Sequence, residues 1–130
     1  FGDRSVRVKN SGFGDIEIIL KESGLQYFKP EVVLEGGAID VNGLGTCMTT
    51  QSCIMNPNRN NKISLEEMKK VLEDYLGISK IIWLTGGMEG DDTDGHVDNI
   101  ARFVNPKTIV CAVEENEDDS NYSNLKNNYD

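Results

Sequence analysis

An acidic loop that contains the only histidine of the chain is the densest group of residues that could do chemistry. Residues 89–99 hold five acids and His96, with no Lys or Arg among them. If residues 96–104 form a strand, His96 and Asp98 project from one face, about 7 Å apart along the chain. A titratable base and a carboxylate would then share one pocket, which suits a cationic ligand. A solvated acidic turn with a surface histidine fits the same spacing.

Two kinds of metal site compete with that interpretation. Residues 56–67 imitate the calcium loop of an EF-hand, with oxygen-bearing side chains at loop positions 1, 3 and 5 and Glu67 at position 12. Asn56 replaces the first aspartate, Asn61 replaces the glycine of the sharp turn, and no helix is predicted before the loop. Zinc is not indicated, because a single histidine and unpaired cysteines give no recognisable ligand set. We expect no metal and no cofactor, with a calcium-binding module left open as an alternative.

The cysteines Cys47, Cys53 and Cys111 are odd in number and form no CxxC pair. They imply neither a disulfide framework nor a zinc knuckle, so a reducing cytoplasm fits them best. Cys47 and Cys53 lie in or near one apolar stretch, and Cys111 lies in another. We interpret all three as small core residues rather than as nucleophiles.

Length and composition describe one ordinary globular domain over residues 1–130. The chain is 38% hydrophobic and 27% charged, which supports one core but not two independent ones. No apolar run approaches the roughly 20 residues that span a bilayer, and no secretory leader is visible, so we expect a cytoplasmic protein without a membrane span. The net charge is -9 and the 13 basic residues are scattered, which argues against nucleic acid as a partner.

The elements that must position these residues begin with a short amphipathic stretch. Residues 14–24 fit a helix slightly better than a strand. Residues 32–34 and 38–41 are apolar and β-branched enough to predict strand on either side of the Gly36-Gly37 bend. Asn42-Gly43 predicts a hairpin turn, with Thr46–Thr50 as the returning strand. Strand character continues toward residue 54.

The clearest predicted element is a helix that begins at Ser64 and ends at Gly77. Ser64 can cap the first turn while Glu67 reaches back from the third helical position, a capping box worth roughly 1 kcal/mol. Apolar residues recur at helical spacing, which predicts a stripe packed against a sheet, formed by Leu65, Met68, Leu72, Tyr75 and Leu76.

More strands follow the helix. Lys80–Leu84 is a short apolar strand, and residues 96–104 and 107–113 predict a hairpin that turns at Asn105-Pro106. Residues 114–130 carry most of the excess negative charge and are interpreted as a solvated surface. The predicted order is therefore strand, strand, helix, strand, and then a further hairpin.

An ordered series of short motifs resembles agmatine deiminase and the related bacterial peptidylarginine deiminases. The resemblance runs from about residue 32 to residue 119 and is carried by VLEGG at 33–37, MTT at 48–50, NPNRN at 56–60, WL at 83–84 and DTDGHVDN at 92–99. It implies the pentein fold, an α/β propeller of five strand-strand-helix-strand (ββαβ) units. Residues 32–84 would be one unit and residues 96–113 the hairpin that begins the next, so about two of the five units are present.

The resemblance also implies a chemistry and a set of site residues. A cysteine thiolate attacks the guanidinium carbon of agmatine, and water then releases N-carbamoylputrescine from a thiouronium intermediate. His96 would be the general acid and base, Glu35 would contact the guanidinium and His96, and Asp98 would pair with the guanidinium. Thr93 and Asp94 would line the mouth of the substrate site.

Two parts of that family pattern are not found in this sequence. The upstream guanidinium-binding aspartate motif is absent from residues 1–31, and none of the three cysteines has the context of the family's nucleophile. We therefore expect a segment of a longer deiminase, inactive alone, with the remaining part of the deiminase as partner and a homo-oligomer allowed. Peptidylarginine deimination, amidino transfer and non-catalytic binding of a guanidinium or polyamine stay open as alternatives.

Overall fold

A computed structural model describes residues 14–26, 28 and 30–130. The chain divides into two compact units, residues 1–31 and residues 32–130. In the first unit, helix α1 spans Gly14–Ser23, which confirms the helix predicted there. Residues 1–13 lie outside the described residues. The single domain over residues 1–130 also stays a prediction.

The second unit is built on a three-stranded sheet in the order β1-β2-β3. Strand β1 (Ile39–Val41) pairs antiparallel with β2 (Thr46–Thr50), which confirms the predicted hairpin. The turn is fixed by Asn42, whose side-chain oxygen accepts hydrogen bonds from the backbone N–H of Leu44 at 2.9 Å and of Thr46 at 3.0 Å. The Asn42 side chain thus accepts hydrogen bonds that a backbone carbonyl would otherwise accept within the turn.

Helix α3 (Leu65–Leu76) connects β2 to β3 (Lys80–Leu84), which pairs with β2 in parallel. The helix has the predicted capping box, and it ends at Gly77, whose φ of 65° needs a residue that tolerates the left-handed region. Met68 and Leu72 of the predicted stripe are buried in a core with Cys47, Ile54 and Ile78, whereas Tyr75 and Leu76 are exposed. The predicted strand-strand-helix-strand order is confirmed.

Two stretches around this sheet differ from the prediction. Residues 32–34 do not form a strand, because the side chain of Asn60 bonds the backbone N–H and C=O of Val33 at 2.8 and 2.9 Å in place of a neighbouring strand. The predicted strand toward residue 54 ends at Thr50, where the short helix α2 (Gln51–Ile54) begins. The Thr50 hydroxyl caps α2 by accepting the N–H of Cys53 at 3.3 Å.

The strand predicted for residues 96–104 is also wrong in its first half. A one-turn 3-10 helix occupies Val97–Asn99, and strand β4 begins only at Ala101 and ends at Asn105. It pairs antiparallel with β5 (Thr108–Cys111), so the predicted hairpin and its turn are confirmed with shorter strands.

Residues 114–130 are not merely a solvated surface, because they include helix α4 (Tyr122–Tyr129). Leu125 of α4 is buried in a second core with Met48, Leu84, Val97 and Ile100. Asn128 receives the N–H of Thr85 at 2.9 Å and donates to the carbonyl of Gly86 at 2.8 Å. Asn128 thus holds helix α4 against the residues that follow β3. The local charge of residues 114–130 did not reveal this tertiary contact. Among the described residues, no helix is long and apolar enough to cross a bilayer.

Candidate active site

Glu35 and His96 have the same local setting, because each lies directly before a one-turn 3-10 helix. Gly36–Ala38 follows Glu35, and Val97–Asn99 follows His96. A backbone hydrogen bond closes each turn and fixes the direction in which the preceding side chain leaves the backbone. The two side chains meet, with His96 Nε2 2.5 Å from Glu35 Oε2.

Asp98 joins this pair at Gly37. A Cβ built on Gly37 would lie within 3.0 Å of His96 Nδ1 and of both carboxylate oxygens of Asp98. The missing side chain therefore lets the imidazole and the carboxylate approach the backbone. The structure brings the three predicted catalytic side chains together, and His96 and Asp98 belong to a short turn rather than to the strand face predicted for them. Their catalytic roles stay a prediction.

Arg59 is the residue of this site that sequence reasoning missed. Its Nε donates to Glu35 Oε2 at 3.0 Å, and its Nη2 lies 2.8 Å from the same oxygen. Hydrogen bonds from His96 and then from Arg59 lower the pKa of Glu35, which keeps this carboxylate ionised. Arg59 lies in the NPNRN motif, but nothing local to that motif links it to Glu35, 24 residues earlier.

Thr93 and Asp94 contact Arg59. The Thr93 carbonyl accepts Nη2 at 2.9 Å, and Asp94 Oδ2 lies 3.3 Å from Nη1. Asp94 has a φ of 58°, a left-handed conformation that aspartate tolerates better than most residues. Their predicted place at the mouth of a substrate site stays a prediction, and in this structure both hold the guanidinium of Arg59.

Asp91 organises the loop that carries these residues. Its Oδ1 accepts the Thr93 N–H at 2.9 Å, the Thr93 hydroxyl at 2.5 Å and the Asn99 amide at 3.0 Å, and its Oδ2 accepts the Gly95 N–H at 3.0 Å. Burial opposes ionisation of Asp91, but the hydrogen bonds from Thr93, Gly95 and Asn99 outweigh it and lower its pKa. The loop is therefore shaped around one carboxylate rather than freely solvated.

The cysteines are free and mostly buried. Cys47 and Cys53 are fully buried and Cys111 is partly buried, which confirms their interpretation as core residues. Burial raises the pKa of Cys53, and burial with the nearby Asp40 raises the pKa of Cys47 to about 11. A thiol with a raised pKa is a poor nucleophile at neutral pH.

Cys53 nevertheless adjoins the site, which its apolar surroundings in the sequence did not reveal. Glu35, Cys53 and His96 each offer one atom that could bind a metal, all within 4.8 Å of one another. The Arg59 guanidinium, 2.8 Å from Glu35 Oε2, opposes a second cation there.

The candidate calcium loop is committed to other contacts. Glu67, its position-12 residue, accepts the Ser64 N–H at 2.8 Å in the capping box of α3. Asn60 bonds the backbone of Val33 and also the Ile54 carbonyl, at 2.8 Å. These contacts occupy side-chain oxygens of Glu67 and Asn60 that a calcium ligand set would need.

Sequence comparison with known proteins identifies the family that the motifs of this chain resemble. The profile described as Porphyromonas-type peptidyl-arginine deiminase matches residues 9–130. A putative agmatine deiminase of Legionella pneumophila is 42% identical over 112 residues, which cover 86% of this chain and 32% of that protein. Agmatine deiminase of Pseudomonas aeruginosa is 43% identical over 82% of this chain and 29% of its own length. The chain thus spans about a third of the length of these relatives.

Solved structures agree with the sequence comparison. Agmatine deiminase of C. jejuni, a cysteine-to-serine variant with substrate bound, superposes with a TM-score of 0.78 at 34% identity. The match covers 88% of this chain and 35% of that one. The predicted membership is confirmed, and the chain belongs to the Porphyromonas-type peptidyl-arginine deiminase family, which includes agmatine deiminases.

Proposed function

We propose that this chain supplies part of the active site of a deiminase that hydrolyses the guanidinium of agmatine to N-carbamoylputrescine and ammonia. The single observation that carries the proposal is the meeting of Glu35, His96 and Asp98 around Gly37. Two carboxylates match the planar N–H donors of a guanidinium, and an imidazole beside them can move protons. The agmatine deiminases among the relatives support agmatine as the substrate.

The proposed reaction proceeds in two halves. A cysteine thiolate bonds to the guanidinium carbon, and one C–N bond breaks as ammonia leaves with a proton from His96, which forms a thiouronium. His96 then takes one proton from water, and the water oxygen bonds to the same carbon. The C–S bond breaks to release the thiolate, and the remaining hydroxyl proton passes to solvent to give the ureido product. Glu35 and Asp98 hold the cationic group throughout.

The nucleophile in this proposal lies outside these residues. Cys47 and Cys53 are fully buried, and burial raises the pKa of both thiols. The attacking form is the thiolate, which such surroundings disfavour. The free thiols also support a reducing, cytoplasmic setting for the protein.

The whole fold proposed for the protein is the pentein-type α/β propeller, of which this chain would contribute about two of five units. The β1-β2-α3-β3 unit and the following β4-β5 hairpin support that division. The relatives, about three times as long, support a remaining part that completes the site. That part is the proposed partner of this chain, with a homo-oligomer compatible with it.

The second candidate function is deimination of peptidyl-arginine, which the description of the matching family favours. Both reactions use the same guanidinium chemistry, so the Glu35, His96 and Asp98 cluster serves either. They differ in what lies beyond the guanidinium, a free amine in agmatine or a peptide backbone. Side-by-side assays with agmatine and with an arginine-containing peptide separate the two.

The proposed function is tested in the complete protein by measuring ureido product from agmatine. We expect His96→Ala to lower kcat by about 10² to 10⁴, the usual contribution of a general acid and base. Glu35→Gln and Asp98→Asn should mainly weaken binding of the cation and its orientation. Lys70→Met, which removes an exposed cation from helix α3, is the control and should match the unmodified protein. A kcat of His96→Ala close to that of the unmodified protein would refute the proposed role.

A further inference from the structure

The guanidinium of Arg59 contacts Glu35, the same carboxylate that is proposed to hold the guanidinium of the substrate. Its side chain is only 13% exposed and is held by three partners, the carboxylates of Glu35 and Asp94 and the carbonyl of Thr93. Three simultaneous contacts hold the nearly buried guanidinium, so this side chain has little freedom to move out of the site. Arg59 is thus a fixed component of the site.

The contacts to Glu35 all fall on one oxygen. Arg59 Nε, Arg59 Nη2 and His96 Nε2 lie 3.0, 2.8 and 2.5 Å from Oε2. No hydrogen bond from any described residue reaches Oε1. The carboxylate is therefore turned so that one edge is fully used by the protein and the other edge is available.

The backbone that carries Arg59 is itself fixed. The Arg59 N–H donates to the Asn56 carbonyl at 2.8 Å, which closes a tight turn. The next residue, Asn60, is 7% exposed and ties the same turn to Val33, two residues before Glu35. Consecutive residues of one turn thus hold both the backbone before Glu35 and its side chain.

We propose that Arg59 is a positioning residue that fixes the Oε2 edge of Glu35 and presents Oε1 to the guanidinium of the substrate. This inference rests on the proposed function, since it assigns Glu35 to substrate binding. Arg59 also ties the Glu35 turn to the loop that carries His96, through Thr93 and Asp94. It touches no reacting atom in this arrangement and acts through Glu35.

The electrostatics of the cluster agree with this geometry. Among the residues that the structure describes, the charged and titratable groups around Glu35 are Arg59, His96, Cys53, Asp98 across Gly37 and, beyond Arg59, Asp94. Hydrogen bonds from His96 and Arg59 lower the pKa of Glu35, so the carboxylate stays ionised and remains a hydrogen-bond acceptor. Removing the Arg59 charge should let that pKa rise.

The test compares Arg59→Met and Arg59→Lys in the complete protein with agmatine as substrate. Arg59→Met removes both charge and fork, so we expect kcat/KM to fall about 100-fold and the acid limb of its pH profile to move to higher pH. Arg59→Lys keeps the charge but not the planar fork. We expect it to leave the acid limb in place and still to lose about tenfold in kcat/KM.

Lys70→Met serves as the matched loss of a cation and should change neither quantity. Arg59 variants that stay within about threefold of the unmodified protein, with an unmoved acid limb, would overturn the positioning role. If Arg59→Met does not fold, Arg59→Lys decides alone, since an unchanged rate contradicts the proposal and a reduced rate with an unmoved limb supports it.

A second measurement separates this inference from the proposed function. If the unmodified protein turns over neither agmatine nor peptidyl-arginine, the proposed function fails. Titration of the Glu35 carboxyl carbon by NMR then tests the Arg59 contact without any activity. A higher pKa for Glu35 in Arg59→Met supports the contact, and an identical titration curve removes it.

Discussion

At the scale of single residues, two adjacent glycines differ in what they can tolerate. A Cβ on Gly37 would collide with His96 Nδ1 and the Asp98 carboxylate, whereas a Cβ on Gly36 has nothing within 4 Å. We predict that Gly37→Ala displaces both side chains and lowers kcat/KM by about 100-fold, the cost of a misplacement near 1 Å. Gly36→Ala is the matched control and should keep near-normal activity. Equal activity of the two variants would contradict the geometry, and steady-state kinetics decides.

The acid sensitivity of the fold is a second prediction at this scale. The pKa of Asp91 and that of Glu35 are both lowered in the folded state, relative to about 3.9 and 4.3 in an unfolded chain. A lowered pKa means that the stabilisation is complete above the unfolded value and disappears as pH falls through the folded value. We therefore expect the melting temperature to fall steeply below about pH 4.

Asp91→Asn is the variant that checks this expectation. It should be less stable at neutral pH and lose part of its acid dependence, because an amide cannot accept every hydrogen bond that Asp91 accepts. Asp92→Asn changes an exposed neighbour in the same loop and should behave like the unmodified protein. Thermal melts between pH 3 and 7 compare the three. A melting curve of Asp91→Asn that tracks the unmodified protein at every pH would rule out the role of Asp91.

At the scale of elements, the segment before Glu35 depends on one buried amide. Asn60 bonds Val33 N–H, Val33 C=O and Ile54 C=O at 2.8 to 2.9 Å. We predict that Asn60→Ala destabilises the fold by about 1 to 3 kcal/mol, since these backbone groups lose their partner. Asn58→Ala, at an exposed position of the same turn, should cost far less. Urea unfolding measures the free energy of unfolding of both variants, and equal values would contradict the stabilising role of Asn60.

Elements with local determinants were predictable from the sequence. The capping box of Ser64 and Glu67 and the terminal Gly77 act within a few residues, so the bounds of α3 follow from its own sequence. The hairpin at Asn42 is local in the same sense. By contrast, residues 32–34 form no strand, and Val33 is bonded to Asn60, 27 residues along the chain, which no local pattern shows.

Three residues of the site could be predicted from the sequence, but their geometry could not. His96, Glu35 and Asp98 lie together, as the resemblance implied, and their roles stay a prediction. The strand face predicted for His96 and Asp98 was wrong, because Asp91 holds residues 91–99 in turns. Arg59 could not be found, since its partners lie 24 and 35 residues away. Long-range hydrogen bonds between polar side chains leave no periodicity in the sequence.

At the scale of the whole molecule, the β4-β5 hairpin presents apolar side chains to the outside. Val104 and Val110 are 58% and 57% exposed. On its inner side, a cavity of about 450 Å³ opens between the two sheets and α4, near Leu125. Exposed apolar surface of this kind is usually covered by another segment or partner.

We predict that the 130-residue chain, produced alone, self-associates and binds a hydrophobic dye. Changing Val104 and Val110 to Lys should reduce both, because charges on an exposed strand oppose edge and face association. Gel filtration and dye fluorescence measure the effect, and Lys70→Met is a neutral comparison. A monomeric chain that binds no dye at micromolar concentration would show that this surface needs no cover.

The contact between Glu35 and His96 has a consequence for folding. The two residues are 61 positions apart, so their contact closes a long loop and carries a large entropic cost. We therefore expect the contact to form late in folding, after the intervening strands and helix. A ligand held there would recognise only the finished structure and would raise its resistance to denaturant in proportion to the logarithm of ligand concentration.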